Sequence, residues 1–295
     1  MIEVEGLTKR FGAATAVDGL SFTVRPGLVT GFLGPNGAGK STTMRMMIGL
    51  DRPTSGTATI NGRVYRDHAA PLCEAGALLE ARSVHRGRTA RQHLLGLART
   101  HGLPGRRVTE VLEQAGLGGV ADRRAGGFSL GMSQRLGIAA ALLGEPAVVI
   151  LDEPVNGLDP DGVLWIRTLL RDLAAQGRTV LVSSHLMSEM ALTADHLLVV
   201  GAGRLLADCS LAELVHGGRC LVRSPRAAEL QALLPQPTWA RDTETFEVEG
   251  VEAAAIGELA ARHGIALHEL TPQRASLEQA YMDLTRESVE YGVAS

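Results

Sequence analysis

Strands alternating with helices up to about residue 215 predict an α/β protein built around a mainly parallel sheet, with a smaller α+β unit behind it. Three observations carry that reading. An apolar strand runs directly into a glycine-rich loop and out through a helix. A second, wholly apolar strand over residues 148–151 ends in two carboxylates. Beyond residue 215 the alternation restarts on a smaller scale. With 295 residues, of which 45% are hydrophobic, the chain can bury a sizeable core and lies near the length at which one core gives way to two. The expected division is a large domain over residues 1–215 and a small one over residues 216–295.

In chain order, residues 2–5 and 20–24 read as strands, and residues 28–33 as another after a turn at Pro26-Gly27. A helix is expected over residues 39–49, stopped by Gly49 and Pro53, followed by a short strand at 57–60 and a turn at Asn61-Gly62. Over residues 89–119 the apolar positions Leu94, Leu95, Leu97, Ala98, Val111, Leu112 and Ala115 recur at helical spacing, broken by a loop at 102–105. A helix at 132–143 leads into the strand at 148–151. Another helix begins at Asp161, and a strand follows at 179–183. In the tail, strands are expected at 220–223, 245–248 and 266–270, with helices between and after them.

Composition removes several function classes. Basic and acidic residues nearly balance, 29 against 32, so no surface able to recruit nucleic acid by counterion release is implied. The three cysteines, Cys73, Cys209 and Cys220, match neither a zinc-site spacing nor a disulfide framework, which fits a reducing cytoplasm. The N-terminus carries charge at once and the apolar runs are far too short to span a bilayer. Of the 29 basic residues only Lys9 and Lys40 are lysines, so the chemistry of lysine itself is a candidate reason for their presence.

The glycine-rich loop is Gly34-Pro35-Asn36-Gly37-Ala38-Gly39-Lys40-Ser41, a phosphate-binding pattern set between an expected strand and an expected helix. Glycines let successive amides point inward, the helix start adds positive dipole, Lys40 reaches the outer phosphates, and the Ser41 hydroxyl can ligate magnesium. Downstream, Asp152-Glu153 stands at the carboxyl end of a buried strand, where ligands sit in open α/β sheets. Beside a phosphate loop, Asp152 is suited to hold the magnesium and Glu153 to polarise a water for in-line attack. His185 follows the strand ending at Ser183, which places it near the same phosphates; a structural or merely exposed histidine is the alternative.

A fourth motif decides between nucleotide-binding families. Phe128-Ser129-Leu130-Gly131-Met132-Ser133-Gln134-Arg135 precedes a helix shortly before the Asp152-Glu153 strand, and the four motifs in this order resemble ABC-type ATPases over residues 1–215. The resemblance implies a P-loop NTPase fold with a RecA-like core sheet, an antiparallel β subdomain and a helical subdomain at about residues 89–145. It casts Phe11 as the residue stacking on adenine, and Gly34 to Ser41 with Thr42 as the Walker A loop. It makes Asp152 and Glu153 the end of Walker B, Asn156-Gly157-Leu158-Asp159 the D-loop with Asp159 at the nucleotide, and His185 the switch histidine. Ser129 and Gly131 belong to the signature. The ligands implied are ATP and Mg2+, with Ser41, Asp152 and Glu80 as metal ligands. Two departures stand out: Glu80 replaces the usual glutamine, and Leu130 and Met132 alter the signature.

In this family the signature faces away from its own phosphate loop. The resemblance therefore implies a nucleotide-sandwiched pair, most simply of identical chains, whose closure drives a separate transmembrane permease from the cytoplasmic face of the membrane. The loop from Glu80 to Arg91 would receive the permease, although its arginine-rich stretch, residues 82–88, reads equally as a solvated loop. The tail, with Leu277, Tyr281 and Leu284 on one helical face, resembles the C-terminal extension of bacterial ATPases serving drug, antibiotic or lantibiotic exporters; on physics alone it is ordinary core packing. A soluble ABC ATPase without a transporter and a weakly hydrolysing regulatory module remain the alternatives.

Overall fold

A computed structural model describes residues 1–80, 84–215, 219–273 and 277–290. Its strands are β1 (Ile2–Phe11), β2 (Ala14–Val24), β3 (Val29–Leu33), β4 (Ser55–Ile60), β5 (Ala75–Leu78), β6 (Val148–Leu151), β7 (Thr179–Ser183), β8 (His196–Gly201), β9 (Arg204–Ser210), β10 (Arg219–Arg223), β11 (Thr238–Ala240), β12 (Thr245–Glu249) and β13 (Glu269–Gln273). Its α-helices are α1 (Lys40–Met47), α2 (Pro71–Glu74), α3 (Ala90–Thr100), α4 (Arg106–Gln114), α5 (Leu130–Leu142), α6 (Pro160–Ala175), α7 (Met187–Thr193), α8 (Leu211–Val215), α9 (Ala227–Ala232), α10 (Ala253–Arg262) and α11 (Leu277–Glu290). Two compact units emerge: Met1–Ser210 together with the described residues from Leu284 onward, and Leu211–Asp283.

The first unit is organised by a six-stranded sheet in the order β5-β6-β7-β3-β8-β9. All its neighbours run parallel except β9, which turns back antiparallel on β8. The central strands are buried along their whole length because a parallel sheet is covered on both faces: every residue of β3, β6 and β7 is buried, the polar Thr30, Thr179 and Ser183 included. A second sheet, β2-β1-β4, is antiparallel and lays its inner face on the first. Leu7, Leu20 and Phe22 from β1 and β2 meet Phe32 and Leu181 of the core sheet and Met44 and Met47 of α1 in one buried cluster. The Phe22 and Phe32 ring centres lie 5.7 Å apart. Burying a side chain of that size contributes about 1.5–3 kcal/mol, so this seam holds the two sheets together.

Helices α3, α4 and α5 make up the helical part. A capping box starts α3: Thr89 accepts from the Gln92 amide while the Gln92 side chain accepts from the Thr89 amide. The α4 helix buries Val111 and Leu112, as the helical spacing predicts, and Val108 with them. Helix α5 seats on β5 so closely that a Cβ on Gly76 would lie 1.7 Å from the Ala141 carbonyl oxygen, which only glycine tolerates.

The second unit carries β10-α9-β11-β12-α10-β13 in the sheet order β11-β12-β10-β13, all neighbours antiparallel. That is the split β-α-β arrangement of ferredoxin-like domains. Phe246, Val248, Cys220 and Val222 on the sheet pack with Leu230 and Ile256 on the helices.

Several boundaries differ from the sequence-based expectation. Helix α1 starts at Lys40, because Gly39 holds φ 97° and acts as its N-cap, and it stops at Met47. Helix α5 starts at Leu130, two residues earlier than expected, because Ser129 caps it. Strand β13 lies three residues beyond the expected 266–270, paired in register with β10 from Arg223↔Glu269 onward. Of the arginine-rich stretch, Arg82 and Ser83 lie outside the described residues; His85 Nδ1 accepts from the Gly87 amide in a local turn.

Candidate nucleotide site

Three adjacent strands deliver the candidate residues to one edge of the core sheet. Strand β3 leads into the loop ending at Lys40, β6 ends at Asp152-Glu153, and β7, between them, ends at Ser183 ahead of His185. Carboxyl ends of parallel strands are where open α/β sheets bind ligands. An open cleft of about 470 Å³ lies here, lined by Ala16, Leu79, Asp152, Glu153 and the loop from Asn36 to Thr42.

The loop has its shape because its glycines have no substitute. A Cβ on Gly39 would lie 2.5 Å from the Ala16 carbonyl oxygen, and one on Gly34 would lie 2.4 Å from that of Val200. Lys40 is buried and its Nζ donates to the carbonyls of Gly34 at 2.6 Å and Pro35 at 3.3 Å. Burial holds its pKa below the ordinary lysine value, opposed by the nearby Glu153 and Asp152 carboxylates. Its ammonium is therefore partly stripped of water and ready for a stronger anionic partner.

Ser41 donates to Asp152 Oδ2 at 2.5 Å, and Ser183 donates to Asp152 Oδ1 at 2.5 Å, so both oxygens of that carboxylate are fixed. Glu153 sits at φ 50°, a left-handed conformation that costs a non-glycine residue about 1–2 kcal/mol. Two side chains hold it there: its amide donates to Ser183 Oγ at 2.9 Å, and its carbonyl accepts from the buried Gln134 amide at 2.9 Å. The Glu153 carboxylate faces His185, with Nδ1 2.7 Å from Oε2 and the His185 backbone amide 3.3 Å from the same oxygen. An ionised carboxylate only accepts, so the proton of this contact belongs to Nδ1.

The structure thus brings Lys40, Ser41, Thr42, Asp152, Glu153 and His185 together. Asn36 to Gly39 line the cleft beside them, whereas Phe11, Glu80, Ser129, Gly131 and Asp159 stand outside its lining. Phe11 is exposed at the end of β1 with Lys9 Nζ 5.0 Å from its ring centre. Glu80 is exposed two residues past the end of β5. Ser129 accepts from the Met132 amide at 3.1 Å as the N-cap of α5, and Asp159 accepts from Gly162 at 2.9 Å as the N-cap of α6. Gly131 approaches the loop before α6, where a Cβ would lie 2.9 Å from the Gly157 carbonyl oxygen.

Two residues of the site escaped the sequence reading, Ser183 and Gln134. Ser183 was detectable as the polar residue closing an apolar Val-Leu-Val run; Gln134 lies inside the signature run, and nothing local distinguishes it.

A family profile described as ABC transporter matches residues 17–156. The chain is 35% identical to an uncharacterized ABC transporter ATP-binding protein, YhcH, of Bacillus subtilis, over 98% of this chain and 97% of that protein. It is also 35% identical to the bacitracin transport ATP-binding protein BcrA of Bacillus licheniformis, over 96% of this chain and 97% of that protein. The chain belongs to the ATP-binding subunits of ABC transporters. A solved structure of an ATP binding subunit of an ABC transporter agrees at TM-score 0.67 and 30% identity, over 72% of this chain and 91% of that one. As a member of this family the chain binds ATP and is an ATPase. Residues 218–278 match a domain of unknown function, DUF8746. Among the described residues no helix is long and apolar enough to cross a membrane.

Proposed function

We propose that two copies of this ABC subunit close head to tail over Mg-ATP and that closure drives a separate membrane permease. The observation carrying this reading is the place of the signature. Ser129 is exposed at the start of α5 and, like Gly131, takes no part in lining the cleft of its own chain. A phosphate held in that cleft is flanked by the Walker loops of one protomer, while the helix start behind Ser129 offers amides and positive dipole to a phosphate brought by another. Closed symmetry makes an identical chain the simplest partner.

Within each site, Lys40 and the amides of the loop bind the outer phosphates. Phe11 stacks on the adenine, and Asp159 approaches the nucleotide from the partner side. Ser41 and Asp152 suit magnesium, because a hydroxyl and a carboxylate oxygen at 2.5 Å are the hard oxygen donors it selects; we add Glu80 as a third such oxygen, on its position in the family pattern. When bound, the metal neutralises charge on the transferring phosphoryl group. Glu153 takes the proton from the attacking water as its oxygen bonds to the terminal phosphorus and the bond to ADP breaks. His185 holds the Glu153 carboxylate in place. Separated products replace the ligand that joined the protomers, and the pair opens.

We assign the output to a separate permease, with this subunit at the inner membrane face, a reading supported by the likeness to transport ATP-binding proteins. The cargo we propose is a drug, antibiotic or other small hydrophobic compound, exported. The likeness to the bacitracin transport protein supports this, since it runs through the second unit as well as the first.

Ser129→Arg tests the signature assignment. Its side chain fills the space in which the partner's phosphate would sit, so turnover should fall by roughly 10²-fold, in the range lost with one phosphate-stabilising donor, while ATP binding to the single chain is retained. Turnover at the parent rate would remove Ser129 from the composite site.

A further inference from the structure

The carboxyl end of α4 is a meeting point of three helices. The last carbonyls of a helix have no partner within it, and here two of them are taken by residues from two other elements. Arg135 of α5 donates from Nη1 to the Ala115 carbonyl at 3.1 Å, and Trp165 of α6 donates from Nε1 to the Gln114 carbonyl at 3.1 Å. The same guanidinium lies 4.4 Å from the centre of the Trp165 ring. Arg135 therefore sits between the negative end of a helix dipole and the negative face of an indole, both of which favour a cation.

This contact fixes α5 against α6 one and a half turns into α5. Closer to its start, Leu130 lies over the loop ahead of α6: a Cβ on Gly157 would be 2.3 Å from Leu130 Cδ2, so the altered signature position fills the space left by that glycine. Between them, Gln134 reaches the Glu153 carbonyl. Helix α5 begins at the Ser129 cap and α6 at the Asp159 cap, so the two loops presented to a partner spring from helices tied to each other.

We propose that Trp165 is a positioning residue that clasps the signature helix to α6, so that Ser129 and Asp159 meet the second protomer as one rigid piece. This rests on the paired reading above. Among the described residues lining the cleft none belongs to α5, and Gln134 reaches it through the Glu153 carbonyl, so the clasp acts on pairing and not on binding of ATP within a chain.

The test uses the full chain carrying Glu153→Gln, which holds the ATP-bound pair. Trp165→Leu keeps apolar bulk and removes both the ring face and the N–H; Trp165→Phe keeps the ring. With Mg-ATP, sedimentation across a protein concentration series should show the Leu variant pairing about tenfold more weakly and the Phe variant about twofold, from loss of the cation–π contact and one hydrogen bond. ATP affinity of the dilute single chain should stay within about twofold of the parent. If Glu153→Gln pairs but adding Trp165→Leu leaves that pairing unchanged, the clasp is refuted and the paired reading stands. Parallel loss of ATP affinity in the Leu variant would mean general support of the fold and would also refute the clasp. If Glu153→Gln alone stays monomeric, the paired reading falls, and the clasp with it.

Discussion

Replacing Glu153 with glutamine is expected to lower ATP turnover by roughly 10²- to 10⁴-fold, the contribution of a positioned general base, while ATP binding persists and the paired state accumulates. Glutamine has the shape of glutamate, and the contacts holding the backbone at φ 50° come from Ser183 and Gln134, which the substitution leaves alone. The amide oxygen can still accept from the His185 backbone N–H that now meets Glu153 Oε2. What is lost is the negative charge that takes a proton from water. Phosphate release in the steady state and chromatographic size with Mg-ATP measure the two halves of this expectation. Hydrolysis at the parental rate would show that the proton goes elsewhere.

Lys40→Ala should weaken ATP binding by about 10- to 100-fold, the equivalent of one hydrogen bond to a charged group. Nearby residues offer no replacement: the Lys40 ammonium is buried among loop carbonyls, and the closest charges, Asp152 and Glu153, are negative. The pH dependence carries a second signature of the same residue. Burial lowers the Lys40 pKa in the free chain, and a bound polyphosphate raises it again, so binding takes up a proton once the free lysine begins to deprotonate. Affinity should therefore decline as pH rises through the lowered lysine range, and that alkaline decline should be missing in Lys40→Ala. Titration of ATP binding across alkaline pH checks both statements; equal affinity in the two proteins would remove Lys40 from the site.

Much of the site was legible because its signals are local. A strand, a glycine loop and a helix start lie within one short run around Lys40, and Asp152-Glu153 ends a strand apolar enough to be recognised alone. What escaped depends on distant partners. Strand β5 is Ala-Gly-Ala-Leu, without the branched residues that mark a strand, and exists because it pairs with β6 and admits the Ala141 carbonyl beside Gly76. Strand β1 runs on to Phe11 through register shifts against β2 that disturb its alternation. The antiparallel pair β8 and β9 at the sheet edge was not singled out. In the second unit β11 is three residues long, and without it the split β-α-β order cannot be seen. The left-handed backbone of Glu153, held by side chains from β7 and α5, is a tertiary fact with no mark in the local sequence.

The central claim is that each catalytic site is shared between two chains, and mixing two impaired variants tests it most directly. Lys40→Ala supplies an intact signature with an impaired phosphate loop; Ser129→Arg supplies an intact phosphate loop with an impaired signature. A mixed pair contains one site in which both halves are intact, so combining the two proteins should restore ATP turnover well above either alone, rising with the fraction of mixed pairs. If the mixture hydrolyses no faster than the sum of its parts while each variant still folds and pairs with the parent chain, the site is complete within one chain and the account is contradicted.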